Sequence, residues 1–359
     1  MKIKRVLVIN EGYSDNLGDQ IINDSLQYLL KSHGVKSIDF QDFTKNIKCP
    51  IEISVDNNLG NKSSVVMHNL KKTIFSMIRI IPAKIRWLIK NTNRVIKTSK
   101  NNYDLVIIGG GQLILSNKIF PIAMFWWIFF LRLFGNKNIV LFSVGSGTKF
   151  NFIDKLLYKN TLNKVSQIYV RDKKSKEILK NIFNIDPKFV YDVAFVYDKI
   201  IKRANIVKKN IVVGVIFFGV YNRYNKNRIS KEEFFETWIK LLKTNNINLK
   251  DINLFYTTKA DRVVSLEFKE YISKKYQIEL EIIETNTKER LINLLNQSKL
   301  VISARMHALI LGLTYGCEII TYPVSEKLIE FNNMFNNEFD LKNIQKDINE
   351  KLKEILNIK

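Results

Sequence analysis

Residues 301–323, VISARMHALILGLTYGCEIITYP, are predicted to form a strand, a helix and a second strand joined by short turns. Val301 and Ile302 end an apolar run typical of a buried strand, and residues 308–313 are mostly strong helix formers. Gly316 is predicted to end the helix, because glycine readily adopts the left-handed conformation that follows many helices. This unit places Arg305 and His307 at the first turn of a helix that follows a buried strand.

The start of this helix is a candidate site for an anion. Unpaired backbone N–H groups give a helix N-terminus a partial positive charge, and Arg305 adds a planar pair of donors. A buried arginine needs an anionic partner, and the nearest downstream acid, Glu318, lies beyond the far end of the helix. His307, one of three histidines with His33 and His68, is a candidate for proton transfer. The alternative is that His307 is a hydrogen-bonded packing residue.

The rest of the chain alternates short apolar strands with helices, which is typical of α/β proteins. A length of 359 residues with 46% hydrophobic content favours two domains. A polar and basic stretch at 199–210 separates two series of strand–helix units and is interpreted as a linker. We therefore expect two Rossmann-like domains, 1–198 and 211–359, which face each other across a cleft.

Several local features of the N-terminal half can be predicted in more detail. A strand is expected at 5–10, followed by a helix at 20–32 with Asp19 as its N-cap. Residues 41–70 show no clear period and are predicted to be an irregular connection. Strands at 105–108 and 139–144 run into glycine-rich turns, and Asp192 is expected to end a further short strand.

The cysteines and the N-terminus indicate the compartment. Cys49 and Cys317 are far apart and lack the spacing of a zinc site, so we expect neither a disulfide nor a structural metal, and a reducing compartment fits. The apolar run after the first basic residues is too short for a signal peptide.

The charge of the chain is strongly positive and unevenly distributed. The net charge is +23, and between residues 57 and 153 a single acid, Asp104, stands against fourteen lysines and arginines. Within that region, residues 71–97 are predicted to form basic amphipathic helices, interrupted or kinked at Pro82. The apolar positions of these helices are Ile74, Ile78, Ile81, Ile85 and Leu88, and the basic positions opposite are Lys72, Arg79, Arg86 and Lys90.

An uncharged, aromatic-rich segment at 119–131 follows the basic helices. It is too short to cross a bilayer as a helix, which needs about twenty residues. Together with the basic helices it favours a protein that lies on an anionic membrane surface. The alternatives are a buried core helix beside a solvated basic face, or a nucleic-acid partner, for which no binding motif is present.

The order and spacing of several short motifs resemble the bacterial polysaccharide pyruvyltransferases over nearly the whole chain. The family usually has leucine where this chain has Met306, and a lysine shortly after the last strand, which Lys327 is expected to match. The segment 41–100 carries none of these motifs. The matching residues are 16–19 (NLGD), 104–111 (DLVIIGGG), 144–147 (VGSG), 170–172 (VRD) with Ser175, 192–195 (DVAF) and 305–308 (RMHA).

The resemblance implies a fold similar to GT-B glycosyltransferases and a reaction that moves the pyruvyl group of phosphoenolpyruvate onto two sugar hydroxyls as a cyclic ketal. No cofactor or metal is implied. The expected partners are phosphoenolpyruvate, a sugar acceptor carried on a polyprenyl lipid, and the inner face of the cell membrane, with no nucleic acid. The acceptor would belong to a capsule or exopolysaccharide.

Roles for individual residues follow from the same resemblance. His307, Arg305 and Asp19 are expected to be catalytic, with His307 as a proton-transfer group. The remaining residues are expected to bind the donor or to form the loops of the acceptor cleft. The donor-binding residues are Arg171, Arg305, Lys327, Gly145 and Gly147, and the cleft-loop residues are Asn16, Gly18, Gly109, Gly110 and Gly111.

Two other functions fit parts of the sequence. A nucleotide-sugar glycosyltransferase of the same architecture would use the Arg305 region for a diphosphate. A non-catalytic membrane-surface protein of the assembly machinery would need the basic helices but not the histidine. Binding of phosphoenolpyruvate or of a nucleotide sugar distinguishes the enzymes from each other.

Overall fold

The structure, a computed structural model, describes residues 3–45, 82–117, 119–225, 228–335 and 339–357. The N-terminal half is built around one parallel sheet of six strands. The strands are β1 (Arg5–Asn10), β2 (Ser37–Asp42), β3 (Leu105–Ile114), β4 (Ile139–Ser146), β5 (Gln167–Val170) and β6 (Lys188–Phe189). The helices are α1 (Leu17–Ser32), α2 (Ala83–Ser99), α3 (Phe120–Leu133), α4 (Phe152–Leu162) and α5 (Lys173–Phe183), with a 3₁₀ helix at Val193–Lys199.

The C-terminal half is built around a second parallel sheet, which has five strands. The strands are β7 (Asn210–Gly214), β8 (Ile252–Leu254), β9 (Glu281–Ile282), β10 (Ser298–Ser303) and β11 (Glu318–Thr321). The helices are α6 (Phe218–Tyr224), α7 (Lys231–Thr244), α8 (Lys259–Tyr276), α9 (Lys288–Gln297), α10 (Met306–Thr314), α11 (Glu326–Phe335) and α12 (Leu341–Leu356).

The strand orders confirm the predicted fold class, a pair of Rossmann-like α/β units. The first sheet has the order β2-β1-β3-β4-β5-β6 and the second has the order β11-β10-β7-β8-β9. The chain reverses its direction across the sheet between β1 and β3, and again between β7 and β10. Open parallel sheets bind ligands at the carboxyl ends of the strands beside such reversals. Each half therefore offers one binding crevice.

Helices cover both faces of the sheets, which explains why central strands are apolar throughout rather than alternating. Every residue of β4 is buried, and in β1 only Arg5 is not. The two halves are also joined directly, since the Leu17 N–H donates to the Thr257 carbonyl over 3.0 Å. The last helix, α12, returns to the first half, where the Gln345 side chain donates to the Phe195 carbonyl.

Three local predictions for the N-terminal half were wrong. Asn16, not Asp19, caps α1, because the Asn16 side chain accepts from the Gly18 N–H. Residues 41–70 were predicted to be an irregular connection, but residues 41 and 42 belong to the edge strand β2 at 37–42. Residues 46–70 lie outside the described residues. Asp192 does not end a strand, since it caps the 3₁₀ helix through the Ala194 N–H.

The basic region differs from the predicted pattern where the structure describes it. Residues 71–81 lie outside the described residues, and Pro82 is the N-cap of α2, as expected where proline interrupts the predicted helices. The side chains that α2 buries include Trp87 and Val95, whereas Ile85 of the predicted apolar face is exposed. Helix α3 buries one side, which includes the fully buried Trp127, against the sheet. Within the described part of the chain, no helix combines the length and hydropathy needed to cross a bilayer.

Candidate functional site

A cavity of about 360 Å³ lies between the two halves at the carboxyl ends of their central strands. Glu11 follows β1 and Gly111 lies within β3, and both line the wall that the first half contributes. Ile216 follows β7 and Ala304 follows β10, and they line the opposite wall. The cavity thus joins the two chain reversals, and its volume is within the range of small-molecule sites, roughly 300–1,000 Å³.

Two of its polar residues, Arg171 and His307, form one cluster with the buried Asp192 that crosses the cleft. Arg171 follows β5 and donates through Nη1 to Asp192 Oδ2 at 2.5 Å. His307, in the first turn of α10, places Nε2 at 3.2 Å from the same Nη1 and at 3.6 Å from Asp192 Oδ2. The adjacent Asp172 is not the partner of Arg171, since it caps α5 by accepting from the Ser175 N–H.

The cluster holds its charges in defined states. Burial opposes ionisation of Asp192, but the Arg171 charge and the hydrogen bond with His307 outweigh it and lower the pKa of that carboxyl. Since an arginine N–H can only donate, His307 Nε2 accepts from Arg171 when the imidazole is neutral. When it is protonated, Asp192 is the available counter-ion. His307 Nε2 thus lies within 3.6 Å of one donor, Arg171 Nη1, and one acceptor, Asp192 Oδ2.

Arg171 has more donors than the protein satisfies. The residue is 4% exposed, and its Nε and Nη2 atoms have no hydrogen-bond partner among the described residues. Both atoms lie beside Gly145, where an added Cβ would be 3.1 Å from Nε. Leaving a buried donor unpaired costs about 1–3 kcal/mol, more for a charged group. Such donors are expected where an anionic ligand completes the pairing.

Lys327, near the start of α11, is the cationic group of the cavity that lacks an anion. In the described part of the chain it makes no hydrogen bond or ion pair. Burial, followed by the neighbouring charge of Arg171, lowers the pKa of Lys327 to about 7. The lysine is thus poised between its neutral and charged forms near neutral pH.

Arg305 has an acidic partner that the sequence did not reveal. Its Nε and Nη2 donate to the two oxygens of Asp261 at 2.9 and 2.7 Å, in a bidentate ion pair. Asp261 lies in the first turn of α8, 44 residues before Arg305. Arg305 still lines the cavity, but the two N–H groups expected to hold a donor anion are occupied by this carboxylate.

The predicted glycines fall into two groups. Gly110 and Gly111 line the cavity with φ angles of +75° and +82°. Gly109 and Gly147 are away from it, because an added Cβ would meet the Phe142 carbonyl oxygen or Leu115. The strand β3 continues through all three residues 109–111 instead of ending before them.

Gly18 positions the histidine from the opposite half of the protein. A Cβ at this residue would lie 2.4 Å from His307 Nδ1, so the absence of a side chain lets α1 pack directly on the imidazole ring. The neighbouring Asn16 and Asp19 line the cavity and are linked by a hydrogen bond from Asn16 Nδ2 to Asp19 Oδ2 of 3.1 Å. The start of α1 thus contributes both polar groups and the support for His307.

Glu11 is a cavity residue that the sequence analysis did not single out. Burial, and then the nearby carboxylate of Asp42, raises the pKa of Glu11 to about 8. The carboxylate of Asp42 accepts hydrogen bonds from three backbone N–H groups. Among the described residues, the Glu11 carboxyl group accepts one hydrogen bond, from the Thr44 hydroxyl at 2.7 Å. The proton therefore resides on Glu11 near neutral pH. Its place at the carboxyl end of β1 was the available signal.

The structure has a two-domain α/β fold of the GT-B type, with a polar cavity between the two halves. A model of the family described as polysaccharide pyruvyl transferase matches residues 16–326. The chain belongs to the polysaccharide pyruvyl transferase family and is therefore a transferase. No curated protein matches the chain in sequence.

Solved structures with the same fold are only distantly similar in sequence. A putative UDP-N-acetylglucosamine 2-epimerase from Listeria monocytogenes is 13% identical, with a TM-score of 0.52 over 99% of this chain and 89% of that one. The UDP-GlcNAc 2-epimerase from Methanocaldococcus jannaschii is 11% identical, with a TM-score of 0.52 over 99% of this chain and 100% of that one. At this identity the similarity establishes the fold alone.

Replacing Gly18 by alanine should disable the site without altering a group that touches the substrate. The new Cβ would overlap the His307 ring, so we expect turnover to fall by roughly 10² to 10⁴, as for His307→Ala. The measurement is a double-mutant cycle of Gly18→Ala and His307→Ala in activity and in unfolding free energy. With the ring removed, Gly18→Ala should cost nothing further in turnover. Part of its cost in unfolding free energy should remain, because the β-carbon that His307→Ala keeps would still lie 2.5 Å from the new Cβ. Additive losses in turnover would contradict a positioning role.

Glu11→Gln should change how stability depends on pH. The pKa of Glu11 is about 4.5 in the unfolded chain and about 8 in the folded protein. Between these pH values the unfolded chain has released the proton and the folded protein has not, so the wild type loses stability as pH rises through this window. The glutamine variant lacks this loss, and its advantage over the wild type should grow across that window. Urea unfolding at several pH values measures the difference, and the exposed Glu318→Gln is the control. Parallel wild-type and Glu11→Gln curves would contradict the assignment.

Proposed function

We propose that this family member transfers the pyruvyl group of phosphoenolpyruvate to two hydroxyls of a sugar and forms a cyclic ketal. The observation that supports this most directly is the pair of cations in the cavity, Arg171 with two unpaired donors and Lys327 with no anion. Phosphoenolpyruvate carries a phosphate and a carboxylate on a three-carbon frame. A small, densely charged anion of this kind would satisfy both residues at once.

The donor would lie beside His307 and the start of α10. Arg171 would bind one anionic group through the donors that face Gly145, and Lys327 would bind another. Two N–H groups of Arg305 are bound to Asp261 and would not be free for the donor. Arg305 would instead contribute its positive charge and the orientation of the helix start. Each charge-assisted hydrogen bond is expected to contribute about 1.5–3 kcal/mol.

The chemistry requires one proton to reach carbon, because phosphoenolpyruvate has a CH₂ group at C3 and the ketal has a CH₃ group. Protonation at C3 creates a cationic centre at C2, which one sugar hydroxyl attacks. The C2–O bond to phosphate then breaks, and the second hydroxyl closes the ring at C2. The two hydroxyl protons balance the proton on C3 and the proton on the released hydrogen phosphate. No change of oxidation state is involved, so no redox cofactor is needed.

We assign these proton transfers to three side chains. Glu11 carries a proton near neutral pH and is our candidate for protonating C3, an assignment that His307 shares. Asp19, on the same wall as Glu11, is our candidate for accepting a hydroxyl proton. Arg171 would stabilise the departing phosphate.

The acceptor is proposed to be a saccharide of a cell-surface polymer, carried on a polyprenyl lipid at the inner face of the cell membrane. The cavity is lined by residues of both halves, among them Asn16 and Tyr224, and by Gly110 and Gly111 of strand β3. We expect the sugar to lie in this cavity beside the donor.

The proposed reaction has a distinctive isotope signature. In D₂O the product methyl group should gain one solvent deuterium, and inorganic phosphate should appear in step with the ketal, because C3 is protonated from solvent-exchangeable groups. Mass spectrometry of the product and a phosphate assay measure both quantities. A product without solvent label, or release of UDP from a UDP-sugar, would favour the nucleotide-sugar glycosyltransferase alternative.

Donor affinity should depend on the charge of Lys327. As pH rises above about 7 the free lysine loses its proton, so binding of the anion requires proton uptake and should weaken by up to about tenfold per pH unit. Lys327→Arg stays charged and should flatten this dependence, whereas Lys327→Met should lose roughly tenfold to a hundredfold in affinity at pH 7. Calorimetric titration with phosphoenolpyruvate is the measurement. An equal pH dependence in the wild type and the arginine variant would exclude Lys327 as a donor ligand.

A further inference from the structure

Two helices of the N-terminal half expose large apolar side chains within their first two turns. On α2 these are Ile85 and Ile89, and on α4 they are Phe152, Ile153 and Leu156, a group we call the apolar rim. Phe152 is 81% exposed, Ile89 69% and Ile153 63%. Scattered single apolar residues on a surface need no explanation, but a contiguous group marks an interaction site.

An ion pair brings the two helix starts together. Lys84 Nζ lies 2.5 Å from Asp154 Oδ1, and these residues directly adjoin Ile85 and Ile153 in the sequence. Asp154 also accepts from the Ser116 hydroxyl at 2.6 Å, which fixes α4 to the loop after β3. The apolar rim is therefore one surface and not two separate patches.

The same contacts place the apolar rim next to one wall of the cavity. Leu115, the residue before Ser116, lines the cavity, as does Phe120 at the start of α3. A flat surface that docked on the apolar rim would thus lie next to this part of the cavity wall.

The charges around the apolar rim favour an anionic partner. Helix α2 carries five lysines and arginines and no acidic residue. Helix α4 has Lys155 and Lys159 exposed, and its one acid, Asp154, is buried and neutralised by Lys84. Protruding aliphatic and phenyl groups flanked by cations match a bilayer with anionic headgroups, whereas nucleic acid would be met by polar and stacking groups.

We infer that the apolar rim inserts into the interfacial region of an anionic membrane and holds this wall of the cavity close to the lipid surface. The cations of α2 and α4 contact headgroups, while the side chains of the rim enter the acyl boundary. The docking is inferred from the surface alone. Its role in presenting a lipid-linked sugar to the site rests on the proposed function.

Co-sedimentation of the full chain with vesicles tests the docking without donor or acceptor. The vesicles contain equal parts of phosphatidylcholine and phosphatidylglycerol, and pure phosphatidylcholine vesicles are the comparison. The double variant Phe152→Ser with Ile153→Ser should lose at least about tenfold in partitioning, because each side chain leaves the acyl boundary. The matched control is Val263→Ser with Leu266→Ser on α8, which are 44% and 45% exposed in the other half and should bind as the wild type does.

The attraction between the basic side chains and the anionic headgroups should make vesicle binding weaker at high salt and weaker on neutral vesicles. A wild-type protein that stays in the supernatant at low salt would overturn the inference, as would rim variants that bind normally. If the rim variants bind normally and also convert a dimer to a monomer in ultracentrifugation, the rim is a contact between copies of the chain. Turnover on a soluble short acceptor should be unchanged in both double variants, so failure of the proposed chemistry and failure of docking are distinguishable.

Discussion

The ion pair of Arg171 and Asp192 is the interaction on which the rest of the site depends. Both side chains are at most 4% exposed, and a guanidinium stays charged at any physiological pH, so neither partner is stable without the other. Asp192 also caps the 3₁₀ helix that lies between the halves, and Arg171 reaches His307 from the other sheet. The ion pair that positions the charges of the cleft thus also helps to join the two halves.

The sequence predicted those parts of the protein that depend on local pattern. The unit from β10 to β11 and the alternation of strands and helices follow from apolar periodicity and from glycine and polar caps, all of which act within a few residues. The N-cap of α1 could not be predicted from local pattern, because Asn16 and Asp19 are both good caps and only the geometry of the turn distinguishes them. The edge strand β2 was missed because only one of its residues is buried.

The partners of the charged residues could not be predicted in the same way. Arg305 and Asp261 are 44 residues apart and Arg171 and His307 are 136 apart, and no periodic signal links positions at such separations. Family resemblance named Arg171, Arg305, His307 and Lys327 but gave no information on which carboxylate each would meet. Glu11 was missed for a related reason, since a glutamate in a polar loop is ordinary until the fold buries it near Asp42.

The cavity combines fixed charges with groups whose charge is easily changed. Arg171 and Arg305 are each held by a carboxylate, Asp192 and Asp261, so their positions and charges are set before any ligand arrives. Lys327 has no such partner, and its proton is held weakly near neutral pH. An anion that binds beside Lys327 raises the pKa of that amine and so creates the charge it needs. Arg171 and Arg305 are compensated by these carboxylates, and Lys327 is only partly charged before an anion binds, so the cleft avoids burying a positive charge that nothing compensates.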